Sequence, residues 1–192
     1  MPVIPLESDC DNAERDEKAM IEAAQADPAA FELLYRRYLA RVYRYLRSRL
    51  ANTEDAADMT QQVFLQALDA LPGYRQHEEI PFAAWLFQIA RHAVTDAYRS
   101  RRNAISWDSL SEVFLPALEQ DPETIVLQEE RLARLRMLLS KLDADKRELL
   151  ALRFAAGLSS PQIALVVGKS PAAVKKQLTR ILQTLKEQYH AR

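Results

Sequence analysis

Glycine is almost absent from this chain. Gly73, Gly157 and Gly168 are the only three in 192 residues, whereas an average chain carries about 7%. Sheets spend glycine on tight turns, and nucleotide-binding folds spend it on loops that approach phosphates. With its glycines so far apart, the chain holds neither G-x-G-x-x-G nor a P-loop. The sequence therefore predicts an all-α fold with short connections. A hydrophobic share of 48% supplies a core, and the longest apolar runs are only a few residues, so no membrane insertion is expected. The first residues lack the basic start and apolar stretch of a secretory leader. Cys10 is the single cysteine, which excludes a disulfide framework and a thiolate-rich zinc site. A reducing cytoplasm is the expected location.

The net charge of −1 conceals four blocks of opposite sign. Residues 1–30 carry eight acids and two bases. Residues 31–102 carry eight acids and eleven bases, and 103–130 carry seven acids and no base. Residues 131–192 carry four acids and thirteen bases. Two basic blocks around an acidic one suggest two domains that face a polyanion. Solvated helix faces alone would account for the first basic block, but not for the second.

Helix punctuation divides the chain further. After an acidic N-terminal segment, 1–26, with a short helix expected over Arg15–Ala26, Asp27-Pro28 offers an N-cap and a first-turn proline. Phe31, Leu34, Tyr38, Val42 and Leu46 follow at helical spacing. Asn52 or Thr53 caps a second helix, which Pro72-Gly73 stops. A polar loop spans 72–81. A third helix starts at Pro81 and carries Phe82, Trp85, Leu86, Ile89 and Ala93 on one stripe. Residues 103–121 lack a helical period and form a linker. Helices are then expected from Pro122 to Leu142 and from Asp143 to Gly157. The division is 27–102 and 122–192, two small helical domains joined by the acidic linker.

Residues 159–185 carry the sharpest local signal. Ser159 or Ser160 caps a short helix with Ile163, Ala164 and Val167 inward. Gly168 falls where a tight inter-helix turn needs positive φ. Ser170 and Pro171 start the next helix, whose apolar side is Val174, Leu178, Ile181, Leu182 and Leu185. Its other side carries Ala172, Ala173, Lys175, Lys176, Gln177, Thr179 and Arg180. This is a helix-turn-helix with a basic second helix, suited to a major groove. Small residues permit close approach, and Lys and Arg reach phosphates or guanine edges.

The first helical block, AFELLYRRYLARVYRYLRSRL with NTEDAADMTQQVFLQAL and FAAWLFQIARHAVTDAYRSRR, resembles region 2 of the extracytoplasmic-function (ECF) sigma factors of the sigma-70 family. LDADKRELLALRFAAGLSSPQIALVVGKSPAAVKKQLTRILQTL resembles their region 4. The likeness covers roughly 28–102 and 125–187 in the family's order. It implies a protein that binds core RNA polymerase, through the β′ clamp helices and the β flap, and directs promoter DNA recognition and opening. The positions that match the polymerase-binding surface are Arg47, Asn52, Asp55, Asp58, Gln61 and Gln62. The loop 72–81 matches the segment that captures a flipped minus-10 base, with Tyr74, Arg75, Gln76 and His77 as its polar and stacking groups. The third helix matches the one along the opened strand, offering Arg91, His92, Tyr98, Arg99, Arg101 and Arg102. The minus-35 element falls to Ser170, Ala172, Ala173, Lys175, Lys176, Gln177, Thr179 and Arg180. Family habit also implies an anti-sigma factor. No cofactor or metal is expected. His77, His92 and His190 are scattered and no H-E-x-x-H occurs, so catalysis is not expected. The alternative is a helix-turn-helix transcriptional regulator with a helical sensor or interaction domain. Such a protein would dimerise on a palindrome, and no heptad seam is present.

Overall fold

Asp27 separates the first two helices. Its side chain accepts from the backbone N–H of Ala29 at 2.9 Å, and Pro28 opens a 3-10 turn, Pro28–Ala30, that runs straight into the next helix. The computed structural model describes residues 7–50, 52–75, 80–100 and 122–190, with side chains at 15–50, 52–75, 80–98 and 130–190. Among the described residues every regular element is helical. These are α1 (Glu7–Ala26), α2 (Phe31–Arg47), α3 (Thr53–Ala70), α4 (Phe82–Ser100), α5 (Pro122–Ser140), α6 (Ala144–Leu150), α7 (Ser160–Val167) and α8 (Pro171–His190).

In the N-terminal half, α2 presents Phe31, Leu34, Tyr38, Val42, Tyr45 and Leu46 to the core, the spacing of one helical face. Phe64 and Ala67 of α3 and Phe82, Leu86, Phe87 and Val94 of α4 close over them. Aromatic contacts fix the angles: Tyr38 meets Phe82 at 5.3 Å, and Tyr45 meets Phe87 edge-on at 5.6 Å. Each such fully buried large side chain contributes about 1.5–3 kcal/mol. Trp85 is partly buried and packs on Phe82, as its place on the apolar stripe predicts.

The N-terminal helix is longer than the sequence suggests. Helix α1 begins at Glu7 rather than near Arg15, and Ile21 and Ala24 are buried where it packs on α2. Polar contacts add to this hold. The Tyr38 hydroxyl donates to Glu17, and Arg37 lies 3.5 Å from the same carboxylate. Gln25 donates to the carbonyls of Leu71 and Tyr74 at 2.9 and 2.7 Å. An acidic helix with few apolar anchors gives periodicity little to register, which is why the sequence shows only its last turns.

In the C-terminal half, the expected helix from Asp143 to Gly157 is two pieces. Asp143 caps α6 by accepting from Lys146 N at 2.8 Å, as expected, but Ala151–Ala155 forms a π-helical turn. The amide of Ala156 donates to Ala151 O at 3.0 Å. The wider turn shifts the register by one residue, and Leu152, Ala155 and Ala156 are all fully buried. Gly157, at φ +66°, then ends the segment in the left-handed region that favours glycine. Helix α5 stops at Ser140, two residues short of the expected Leu142.

The two halves touch. Helix α7 packs against α4, and the π turn packs against α2. The linker, 103–121, lies outside the described residues.

Candidate nucleic-acid interface

The helix-turn-helix forms from the residues that predict it. Ser159 and Gln162 make a capping box: Gln162 N donates to Ser159 Oγ, and Ser159 N donates to Gln162 Oε1 at 2.9 Å. Gly168 caps α7 at φ +70°. Ser170 Oγ then accepts from Ala173 N at 3.2 Å and starts α8. Val174, Leu178, Ile181 and Leu185 are buried beneath that helix. Two inward assignments shift by a residue's worth of rotation: Val166 is buried while Val167 is only partly so, and Leu182 is 39% exposed.

The outer face of α8 holds the expected groups together. Ala172, Lys175, Lys176, Gln177, Thr179 and Arg180 are exposed, and Ala173 is half-buried. Thr179 spends its hydroxyl on the Lys175 carbonyl at 3.0 Å. Gln177 accepts from Lys169 Nζ at 3.4 Å. No acid stands among these positions, so the face offers cations and amide groups to an approaching polyanion.

The N-terminal half presents a second polar face. Asn52, Asp58, Gln61 and Gln62 are exposed along the start and middle of α3, with Asp55 half-buried beside them. Asn52 also has a structural duty, because its side chain caps α3 by accepting from Asp55 N at 2.6 Å. Arg47, at the end of α2, is half-buried and reaches the Leu50 carbonyl at 3.4 Å. Leu65 follows on α3 and is 63% exposed.

The expected minus-10 residues divide. Tyr74 is a correction: it is buried, packs against Trp85 at 4.8 Å, and donates its hydroxyl to Ile80 O at 3.0 Å. Burial pushes its pKa up to about 12. Such a ring closes the core and offers no stacking surface to a base. Arg75 is exposed. Gln76 and His77, Arg101 and Arg102, and the side chain of Arg99 lie outside the described residues. His92 is exposed on α4 and Arg91 is half-buried. Tyr98 donates to the Arg49 carbonyl, and the Arg49 guanidinium lies 5.9 Å from its ring. Burial raises its pKa.

A polar node that sequence reasoning missed joins the two halves. Glu148 of α6 is buried, accepts from the Tyr45 hydroxyl at 2.8 Å, and pairs with Arg49 at 2.9 Å and Arg91 at 3.9 Å. Burial, then the adjoining carboxylate, pushes the Tyr45 pKa well up. Nearby, Arg41 donates to Ala156 O at 2.8 Å and Gln88 to Leu165 O at 3.0 Å. Sequence shows an acid among apolar residues in RELLAL, but nothing about a partner 103 residues away.

Among the described residues no group of His, Cys, Asp and Glu is placed to hold a metal, and no helix is long and apolar enough to cross a membrane. The geometry is that of a two-part helical protein whose second part is a DNA-binding helix-turn-helix. Comparisons with known proteins give the family. Residues 34–104 match sigma-70 region 2, and 132–185 match sigma-70 region 4. The ECF RNA polymerase sigma factor BldN of Streptomyces coelicolor is 35% identical over 179 residues, covering 93% of this chain and 67% of that protein. SigD of Mycobacterium tuberculosis, also an ECF RNA polymerase sigma factor, is 34% identical over 181 residues, 91% of this chain and 84% of its own. The structure of CnrH in complex with the cytosolic domain of CnrY is similar at a TM-score of 0.62 and 28% identity, covering 88% and 94% of the two chains. The chain belongs to the ECF sigma factors of the sigma-70 family and acts in promoter recognition at transcription initiation.

Proposed function

We propose a division of labour between the two halves. Residues 27–102 hold core RNA polymerase and engage the minus-10 element, and 122–192 read the minus-35 element. The observation that carries this reading is the exposed cationic face of α8, set over a buried helix-turn-helix core. Lys175 and Lys176 contact phosphates and Arg180 reads a base edge, with Ser170, Ala172, Ala173, Gln177 and Thr179 lining the approach. On the other half, Arg47, Asn52, Asp55, Asp58, Gln61 and Gln62 meet the β′ clamp helices. Arg75, with Gln76 and His77, faces the flipped base, and Arg91, His92, Tyr98, Arg99, Arg101 and Arg102 follow the opened strand. Region 4 also contacts the β flap.

The protein has no chemistry of its own and opens DNA through binding energy. The linker acts in the polymerase channel, where its acidity imitates nucleic-acid phosphates. The similarity to CnrH, solved with the cytosolic domain of CnrY, supports an inhibitory protein partner, an anti-sigma factor, acting in the cytoplasm. Reconstitution tests the whole reading. Core polymerase with this chain is expected to yield promoter-dependent transcripts from a genomic promoter library, and neither component alone is. Retention of the chain on polymerase with no promoter-dependent product would overturn it.

A further inference from the structure

We propose that Glu148 is the latch of a closed state, in which its carboxylate occupies the place of a strand phosphate between Arg49 and Arg91. The proposal rests on the assignment of α4 to the minus-10 strand. Every partner the structure gives this carboxylate belongs to the other half of the chain: the Tyr45 hydroxyl at 2.8 Å, Arg49 at 2.9 Å and Arg91 at 3.9 Å. A buried carboxylate is tolerated only while so matched. Separation of the halves therefore exchanges three protein partners for water, in one step.

The contacts around the latch suit a reversible joint. Arg41 holds Ala156 O at 2.8 Å and Gly157 O at 3.4 Å, and Gln88 holds Leu165 O at 3.0 Å. These are side chains of one half satisfying carbonyls of the other, groups that water rehydrates readily. The joint also has an apolar part, since buried side chains of both halves form one continuous cluster, and interdomain interfaces of moderate size permit relative motion.

The closed state cannot occupy both promoter elements. Sites centred about 25 base pairs apart lie roughly 85 Å apart at 3.4 Å per pair. A compact chain of this length has a radius of gyration of about 16 Å, hence a diameter of roughly 40 Å. The nineteen residues of 103–121, at about 3.3–3.6 Å each, span over 60 Å when extended. The linker thus has the reach that an open form needs. In the closed form Arg91 faces the Glu148 carboxylate of the other half, so part of the strand track is occupied by the protein itself. Polymerase or single-stranded DNA gains access by displacing Glu148.

The test uses the full chain and Glu148→Gln, which keeps volume and one acceptor oxygen but removes the charge. Small-angle scattering is expected to show a radius of gyration larger by roughly a fifth than the wild-type value. Affinity for a fluorescein-labelled single strand of thymidines is expected to rise about tenfold, the effect of removing a competing charged contact. An unchanged radius overturns the latch. An increased radius with unchanged strand affinity keeps the latch and overturns the minus-10 assignment of α4, so the two failures read differently. Gln88→Ala removes an interdomain hydrogen bond outside the buried node and should shift both readouts in the same direction by less. It decides the matter if circular dichroism shows Glu148→Gln to be misfolded; no shift with Gln88→Ala would then sink the latch.

Discussion

The Tyr45 hydroxyl donates to Glu148 Oε1 at 2.8 Å, joining residues 103 positions apart. Both groups are buried, so this one bond couples the packing of α2 to that of α6. It also makes the fold sensitive to alkali. Tyr45 and Tyr38 are both shifted upward, chiefly by burial, from an ordinary value of 10.0. The folded chain therefore keeps protons that the unfolded chain releases, and the associated stability is complete below pH 10 and is lost as pH rises above it. Each of the two contributes a slope of about 1.4 kcal/mol per pH unit. Tyr45→Phe should remove one such slope, while costing about 1–3 kcal/mol at neutral pH because Glu148 Oε1 loses its hydrogen-bond donor and keeps Arg91 at 3.9 Å. Urea unfolding at pH 7 and at several values above 10 measures both; an identical alkaline slope in the variant contradicts the assignment.

Gly168 and Gly73 should respond differently to alanine. Neither has an atom within 4 Å of an added Cβ, but only Gly168 holds a positive φ, +70°. Gly168→Ala is expected to destabilise the helix-turn-helix by about 1–2 kcal/mol through backbone strain alone. Gly73→Ala is expected to stay within about 0.5 kcal/mol of wild type. Thermal denaturation of the two variants compares them directly, and equal losses would show that the left-handed conformation is not the determinant.

The same two glycines show how far the sequence reaches. Caps and stops at Asp27, Asp143, Gly168 and Ser170 are local chemistry, read from a few neighbouring residues. The choices between Asn52 and Thr53 and between Ser159 and Ser160 stay open in the sequence and fall to Asn52 and Ser159 in the structure. The cationic side of α8 is legible for the same reason, since a helix fixes its own faces. The π turn at Ala151–Ala155 is not, because RELLALRFAAG satisfies an α period equally well and tertiary packing decides the register. Tyr74 is misread as a base-stacking group because a tyrosine in a polar loop carries no mark of burial. Only the fold brings Trp85 and Phe82 against it. The Glu148 node depends on contacts across the chain, which periodicity does not encode.

Gln25 ties α1 to the start of the proposed base-capturing loop, 72–81, through Leu71 O and Tyr74 O at 2.9 and 2.7 Å. Removing both bonds by Gln25→Ala should cost about 1–3 kcal/mol, since each partly solvated bond is worth about 0.5–1.5 kcal/mol. The more specific effect is local. Amide exchange at Tyr74 and Arg75 should accelerate more than at Val42 in the core of α2. Uniform acceleration across the domain would mean that Gln25 only stabilises globally and does not hold this turn.

On α8, Lys175, Lys176 and Arg180 are all exposed, yet they should behave differently. A lysine on a phosphate releases a counterion whatever the sequence. Lys175→Ala or Lys176→Ala should therefore weaken binding to every duplex alike and lower the salt slope of log K by about one unit. An arginine that makes a bidentate contact with guanine discriminates between bases by about 1–3 kcal/mol. Arg180→Ala should compress the difference between a preferred minus-35 duplex and a scrambled one by that amount. Its effect on the scrambled duplex should be smaller than that of either lysine change. Holoenzyme titrations with both duplexes at several salt concentrations separate the roles. A discrimination unchanged by Arg180→Ala would remove it from base reading and leave it as a third phosphate contact. Salt slopes unchanged by both lysine variants would place the phosphate contacts elsewhere on the helix-turn-helix.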